Sequence, residues 1–219
     1  MARLASLKYV WLTHRRDQLW FPAALWLLFV VFVLALGPAA RFTLTRAYLG
    51  FLVPLTAGLL SAYTLLDDAA LELRFATPQR ALSMLLGRVG LILAVHAVAA
   101  LAFELFAAAL GVDLSPLGGV LRLQLVWLVP TLALAALGAC GSLAGAHTVV
   151  GACLAGGLWL VQLMMKGWCM TNAKPLFLFL GVFAPSDAGL AANQRTLVGA
   201  AIALLLLGWR LLLRRERYI

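Results

Sequence analysis

Charge is scarce in this chain of 219 residues, which has eight acids and seventeen bases, only three of them lysine (Lys8, Lys166 and Lys174). Charged residues make up 11% and hydrophobic ones 64%, whereas an ordinary soluble domain carries about 25% charge. Such a chain cannot clothe itself in water-facing surface, so most of it is expected to face lipid. Cysteine is also rare. Cys140, Cys153 and Cys169 have no metal-ligand spacing, and their odd number argues against a closed disulfide framework. The three histidines, His14, His96 and His147, are too dispersed for a His-Glu-x-x-His helix, and no Gly-x-Ser-x-Gly elbow exists. No metal site and no catalytic residue is therefore expected. The phosphate-cradling Gly-x-x-x-x-Gly-Lys-Ser/Thr loop is missing too, so the chain is expected to bind no nucleotide or other cofactor itself. No Pro, Ser or Gly tract is long enough to be a linker, which predicts one domain over 1–219.

What is present is a series of long apolar runs. A helix needs roughly 20 apolar residues to cross a hydrocarbon core about 30 Å thick. Runs at 19–37, 47–66, 85–110, 123–143, 148–165 and 196–213 meet that requirement and predict an all-α integral membrane protein with six transmembrane helices. These runs are apolar at every position rather than every second one, which excludes a lipid-facing barrel. Residues 2–18 place Leu4, Leu7 and Trp11 on one helical face and predict an interfacial helix. No small-residue cleavage site follows, so the first span is expected to be retained.

Lys and Arg placement sets orientation. With the N-terminus inside, Arg3, Lys8, Arg15, Arg16, Arg74, Arg80, Arg88, Arg210, Arg214, Arg215 and Arg217 fall on the inner side. Arg41, Arg46, Arg122, Lys166, Lys174 and Arg195 remain outside. Both termini are therefore expected in the cytoplasm of a bacterial-type inner membrane. The net charge of +9 is accounted for by anionic membrane lipid, and no nucleic-acid partner is expected.

The connections 38–46 and 111–119 read as short loops. The stretch 167–195 differs, because its apolar run 175–184 is too short to cross and predicts a re-entrant or interfacial helix, either a cap on an outer pathway or, the reading preferred, a lid over the helix ends. Gly141 and Gly145, four apart, predict close helix packing. His96 and Glu104 are ionisable residues at membrane depth, the usual flags of a pathway or proton site.

The densest polar break is 66–80, which holds Asp67, Asp68 and Glu72. It resembles the inner loop of ABC type-2 transporter permeases, in which an acidic pair precedes Gly-Thr/Ser-Leu-Glu, five residues, Pro, and a basic residue opening the next span. Asp67 and Asp68 match the acidic positions, Leu71 and Glu72 the Leu-Glu pair, Pro78 the proline and Arg88 the later base. Ala69 and Ala70 depart from Gly and Thr, replacing turn and capping residues with helix formers. The predicted layout is similar as well: an inner N-terminal helix, six spans, a long outer connection before the last and a basic C-terminus.

The resemblance implies a permease that pairs with a second copy or a related permease, each docked on a separate ABC ATPase subunit that binds ATP and Mg. A cytoplasmic coupling helix between spans two and three would carry Asp67, Asp68, Glu72, Arg74, Pro78 and Arg80 into the ATPase. The cargo implied is hydrophobic or amphipathic: a drug, peptide, lipid-like molecule or heme. Two other classes fit six spans: a substrate-binding subunit of an energy-coupling importer, and a proton-coupled carrier or membrane enzyme built on Glu104 and His96.

Overall fold

Proline and glycine decide where the helices begin, widen and stop. The structure, a computed structural model, describes residues 17–66 and 81–213, and these are helical with no strand among them. Helix α1 runs Asp17–Ala35, and Gly37, at φ 78°, then turns the chain into α2 with Pro38 in its first turn. Gly tolerates that left-handed φ, and proline's missing N–H is harmless at a helix start. Helix α2 continues unbroken over Pro38–Leu66. The connection expected at 38–46 is thus helical, and span two is a longer rod than its apolar run.

Inside α2 the turn Tyr48–Leu52 is a π-turn, where the Val53 N–H reaches back five residues to the Tyr48 carbonyl. Pro54 follows directly, and without an N–H it cannot bond the Gly50 carbonyl four residues earlier. The widened turn is how the helix accommodates that gap.

Helix α3 spans Ala81–Ala109, α4 Val120–Gly145 and α5 Thr148–Met164. Helix α6, Lys166–Asn172, leaves α5 at 87°. A 3-10 turn at Lys174–Leu176, the short α7 at Leu180–Phe183, and α8 at Leu190–Leu212 complete the described order. Four helices, α2, α3, α4 and α8, are long and apolar enough to cross a membrane, and the bent pair α5–α6 makes a fifth if counted as one span. The apolar stretch of α1, Leu19–Ala35, is shorter than that. The six crossings expected from composition are thus four clear ones, one broken one and one short apolar helix. The interfacial helix expected at 2–18 lies almost wholly outside the described residues.

Helix α4 is the centre, flanked by α2, α5 and α8. Glycine permits this: a Cβ on Gly138 would strike the Gly58 carbonyl of α2, and one on Gly151 of α5 would strike the Gly138 carbonyl. Gly141 meets Gly151 Cα and Leu154 of α5 in the same way, and Gly145 meets Val150. The close packing expected around Gly141 and Gly145 therefore lies within this chain, between α4 and α5. Where lipid supplies no hydrophobic drive, backbone proximity supplies dispersion contact instead.

The bundle has two unlike ends. Leu65, Leu85, Leu143 and Leu212 cluster at the end where the 67–80 connection leaves α2. The opposite end holds an aromatic group, Tyr48, Phe103 and Trp127, beside a second cluster built on Phe177–Leu180.

Candidate functional site

Side chains of three helices gather at and just beyond the π-turn. Trp159 of α5 donates its indole N–H to the Phe51 carbonyl at 3.0 Å. Thr56 Oγ1 lies 2.9 Å from the Leu52 carbonyl and 3.0 Å from Nε2 of His96 on α3. His96 is 1% exposed, and its Nδ1 stands 2.8 Å from the Ile92 carbonyl. A carbonyl only accepts, so Nδ1 carries a proton. In the neutral ring Nε2 is then an acceptor, competing with Leu52 for the single Thr56 hydroxyl hydrogen.

Against the same turn lies the segment between α6 and α8, residues 173–189. Phe177, Leu178, Phe179 and Leu180 are each at most 3% exposed, so the segment is a plug inserted between helices rather than a lid over their ends. Val182 fills the space beside Gly50 that a Cβ would occupy. Phe51 meets Phe179 edge-on at 5.1 Å and Phe183 at 5.5 Å, and Trp159 meets Phe179 at 6.2 Å.

Irregular backbone at membrane depth persists only where the protein satisfies it. Asn193 of α8, 2% exposed, turns its amide toward the carbonyls of Lys174, Pro175 and Phe177 at 2.9, 3.1 and 2.9 Å. Gln162 of α5 donates to the Leu176 carbonyl at 3.1 Å and accepts from the Leu178 N–H at 2.8 Å. At the rim Lys174 pairs with Asp187 at 2.6 Å, and the Gly189 N–H donates to the same carboxylate. Lys174, and next that N–H, hold the Asp187 carboxyl below its usual range. Lys166 sits 3.9 Å above the Phe183 ring. A shallow cleft between α4 and α8, lined by Val126, Pro130, Leu178, Gly181, Asn193 and Leu197, opens beside the plug.

Of the residues singled out by sequence, His96 and Glu104 are not brought together. His96 turns to α2. Glu104 accepts from Gln124 Nε2 at 2.7 Å and Trp127 Nε1 at 2.8 Å, both on α4. Each serves as a bridge to a different helix. His147 is the N-cap of α5, its Nδ1 accepting from the Val149 N–H at 3.2 Å. Asp67, Asp68, Glu72, Arg74, Pro78 and Arg80 lie outside the described residues, so no geometry bears on the coupling segment. Arg88, the base matched to the motif, is engaged and 3% exposed, one to two turns into α3.

Sequence reasoning passed over Thr56, Trp159, Gln162 and Asn193. Pro54 in mid-span is legible as a break in the ladder at the Gly50 carbonyl, but nothing in the sequence points to Thr56 or Trp159, which bond the neighbouring Leu52 and Phe51 carbonyls. Among the described residues no three His, Cys, Asp or Glu side chains gather as metal ligands. The arrangement is one of wedge and clamp, an aromatic plug held by two amides against a widened helix turn. Comparison with family models, with curated proteins and with solved structures gives no match.

Proposed function

We propose that this chain is the membrane permease subunit of an ATP-driven ABC exporter, with α1, α2, α3, α4, α5 and α8 as its six spans. The observation that carries the reading is the acidic-to-proline segment Asp67, Asp68, Glu72, Pro78, standing between two long apolar helices and followed by Arg88. The segment is the coupling helix, seated in a separate ATPase that binds ATP and Mg. Two permeases pair, and both termini face the cytoplasm. Charged contacts at such a docking surface fix the partner, and removing one member of a desolvated pair is costly.

Two features of the fold are in keeping with this role. The coupling segment joins α2 directly to α3, so a push on it acts on the helix that carries the π-turn. The plug lies against the middle of the same helix, at Gly50 and Phe51. A pathway for a hydrophobic or amphipathic cargo would then be worked from one end of α2 and closed along its length.

Affinity purification of the tagged protein in mild detergent, with mass determination of its companions and an ATP hydrolysis assay, tests the reading. A stoichiometric ATPase that is lost on Glu72→Lys, while the membrane domain stays folded, is the expected result. A lone chain without hydrolysis, or an ATPase retained undiminished by Glu72→Lys, Asp67→Lys and Asp68→Lys together, overturns it.

A further inference from the structure

We propose that Arg41 and Arg46, with Thr45 and Trp26, form a binding site for an oxyanion, the phosphate of a membrane lipid headgroup, at the end of the bundle opposite the 67–80 connection. The inference does not depend on the exporter reading. Four donor-bearing atoms in this region are buried without a partner: Trp26 Nε1, Arg41 Nε, Thr45 Oγ1 and Arg46 Nε. Thr45 is 0% exposed. Buried donors without partners are rare, and each calls for an acceptor.

Arg41 and Trp26 both meet the last turns of α3, and Thr45 and Arg46 follow Arg41 within two turns of α2. Arg41 Nη1 donates to the Leu110 carbonyl at 3.2 Å, tying the first turn of α2 to the end of α3. One turn before Leu110, Phe106 meets Trp26 of α1 at 6.1 Å, and Phe103 meets Trp26 at the same distance. Thr45 stands four residues after Arg41, and Arg46 lies over the ring of Phe42 at 5.8 Å. Residues four apart share a helix face, so Arg41–Thr45 and Phe42–Arg46 form adjoining strips.

No carboxylate answers these cations among the described residues. Glu104 is taken by Gln124 and Trp127, Asp113 by Ser115 and Asp187 by Lys174. Arginine keeps its charge under all ordinary conditions and offers only donors. A charge of this kind near membrane depth is a site by default. Three of the four atoms only donate and the Thr45 hydroxyl can donate as well, and the chemical group that supplies only acceptors, in a planar or tetrahedral spread suited to guanidinium, is an oxyanion. Arg46 lies about 7.5 Å deeper along α2 than Arg41, at 1.5 Å per residue. That offset is close to the roughly 5–7 Å of headgroup region on each side of a bilayer. A lipid phosphate therefore fits the placement better than an ion from bulk water, which shares the chemistry but not the depth.

Native mass spectrometry of the full chain in mild detergent, with phosphatidylglycerol and with uncharged monogalactosyl diacylglycerol as probes, tests the site. Wild-type protein is expected to retain phosphatidylglycerol, and Arg41→Gln/Arg46→Gln to retain about tenfold less at equal lipid, in line with loss of charge-assisted bonds. Arg122→Gln, an exposed arginine at the same end, serves as the control and should leave retention unchanged. Millimolar inorganic phosphate that displaces the lipid, or binds alone and is lost in the double variant, assigns the site to a free anion and keeps the oxyanion chemistry. If the double variant does not fold, Arg46→Gln and Arg46→Lys are compared instead, with retention expected to fall in the first and persist in the second. Equal retention by wild type and the folded glutamine variants, or no preference for phosphatidylglycerol over the glycolipid, overturns the proposal.

Discussion

The glycine seam and the plug hold helices together by opposite means. Along the seam, Gly58, Gly138 and Gly151 remove side chains until α2, α4 and α5 touch backbone to backbone. In the plug, residues 173–178 give up regular helix, and Asn193 and Gln162 catch the exposed carbonyls with side-chain amides. Neither uses the hydrophobic effect, which has little to offer between helices in lipid. The seam is rigid because nothing in it can rotate. The plug is held by a handful of bonds, each of which can be exchanged.

The sharpest way to break the comparison is Gly138→Leu. Its Cβ must displace the Gly58 backbone, and a loss of about 3 kcal/mol or more is expected, as for overpacking against backbone, read as a collapse of the thermal midpoint in detergent. Gly157→Ala, where nothing lies within 4 Å, should be neutral or slightly stabilising. Next comes Asn193→Ala, which strips the amide from three carbonyls and should cost about 2 kcal/mol. Two native thiols separate the regions: Cys169, 5% exposed, reports on the plug, and Cys140, 4% exposed, on the seam. Alkylation of Cys169 should rise in Asn193→Ala while that of Cys140 stays flat; equal rises would show that the two regions open together.

Smaller effects follow. Ala146 closes the α4–α5 turn at φ 50°, a conformation that strains any residue with a Cβ. Ala146→Gly should therefore stabilise by about 0.5–1 kcal/mol, seen as a higher midpoint. His96→Gln keeps one of two bonds and should lose about 0.6 kcal/mol, the usual worth of such a bond between membrane helices. Transport that fails in His96→Gln at normal stability would restore the carrier reading. The least effect belongs to the Lys174–Asp187 pair. Because the folded Asp187 pKa lies below its unfolded value, its contribution is complete above the ordinary carboxylate range and fades as pH falls through the lowered value. Cys169 alkylation should thus rise on acidification, and Asp187→Asn should remove that pH dependence.

How much of this was legible in the residues depends on whether the signal is local. The apolar runs marked the rods α3, α4 and α8 and the end of α2 to within a turn or two, because lipid contact demands length. The start of α2 was misjudged because Arg41, Thr43, Thr45 and Arg46 read as loop, although Gly37-Pro38 is a helix-start signal. The plug was foreseen as too short to cross, but its depth was not. What buries it is the pairing of Asn193 with carbonyls up to 19 residues away, and no window of sequence shows which amide will reach which carbonyl. His96 and Glu104 were found as rare polar residues, but their partners, Thr56 and the Gln124–Trp127 pair, sit on other helices.

The π-turn at Tyr48–Leu52 amounts to one residue of slack stored in a rod. A helix advances about 100° per residue, so that surplus residue sets the angle of every side chain beyond it, and Pro54 pins it in place, since a regular turn there would press the ring on the Gly50 carbonyl. Gly50 and Phe51 are thereby keyed to the one angle at which they mesh with Val182 and Phe179.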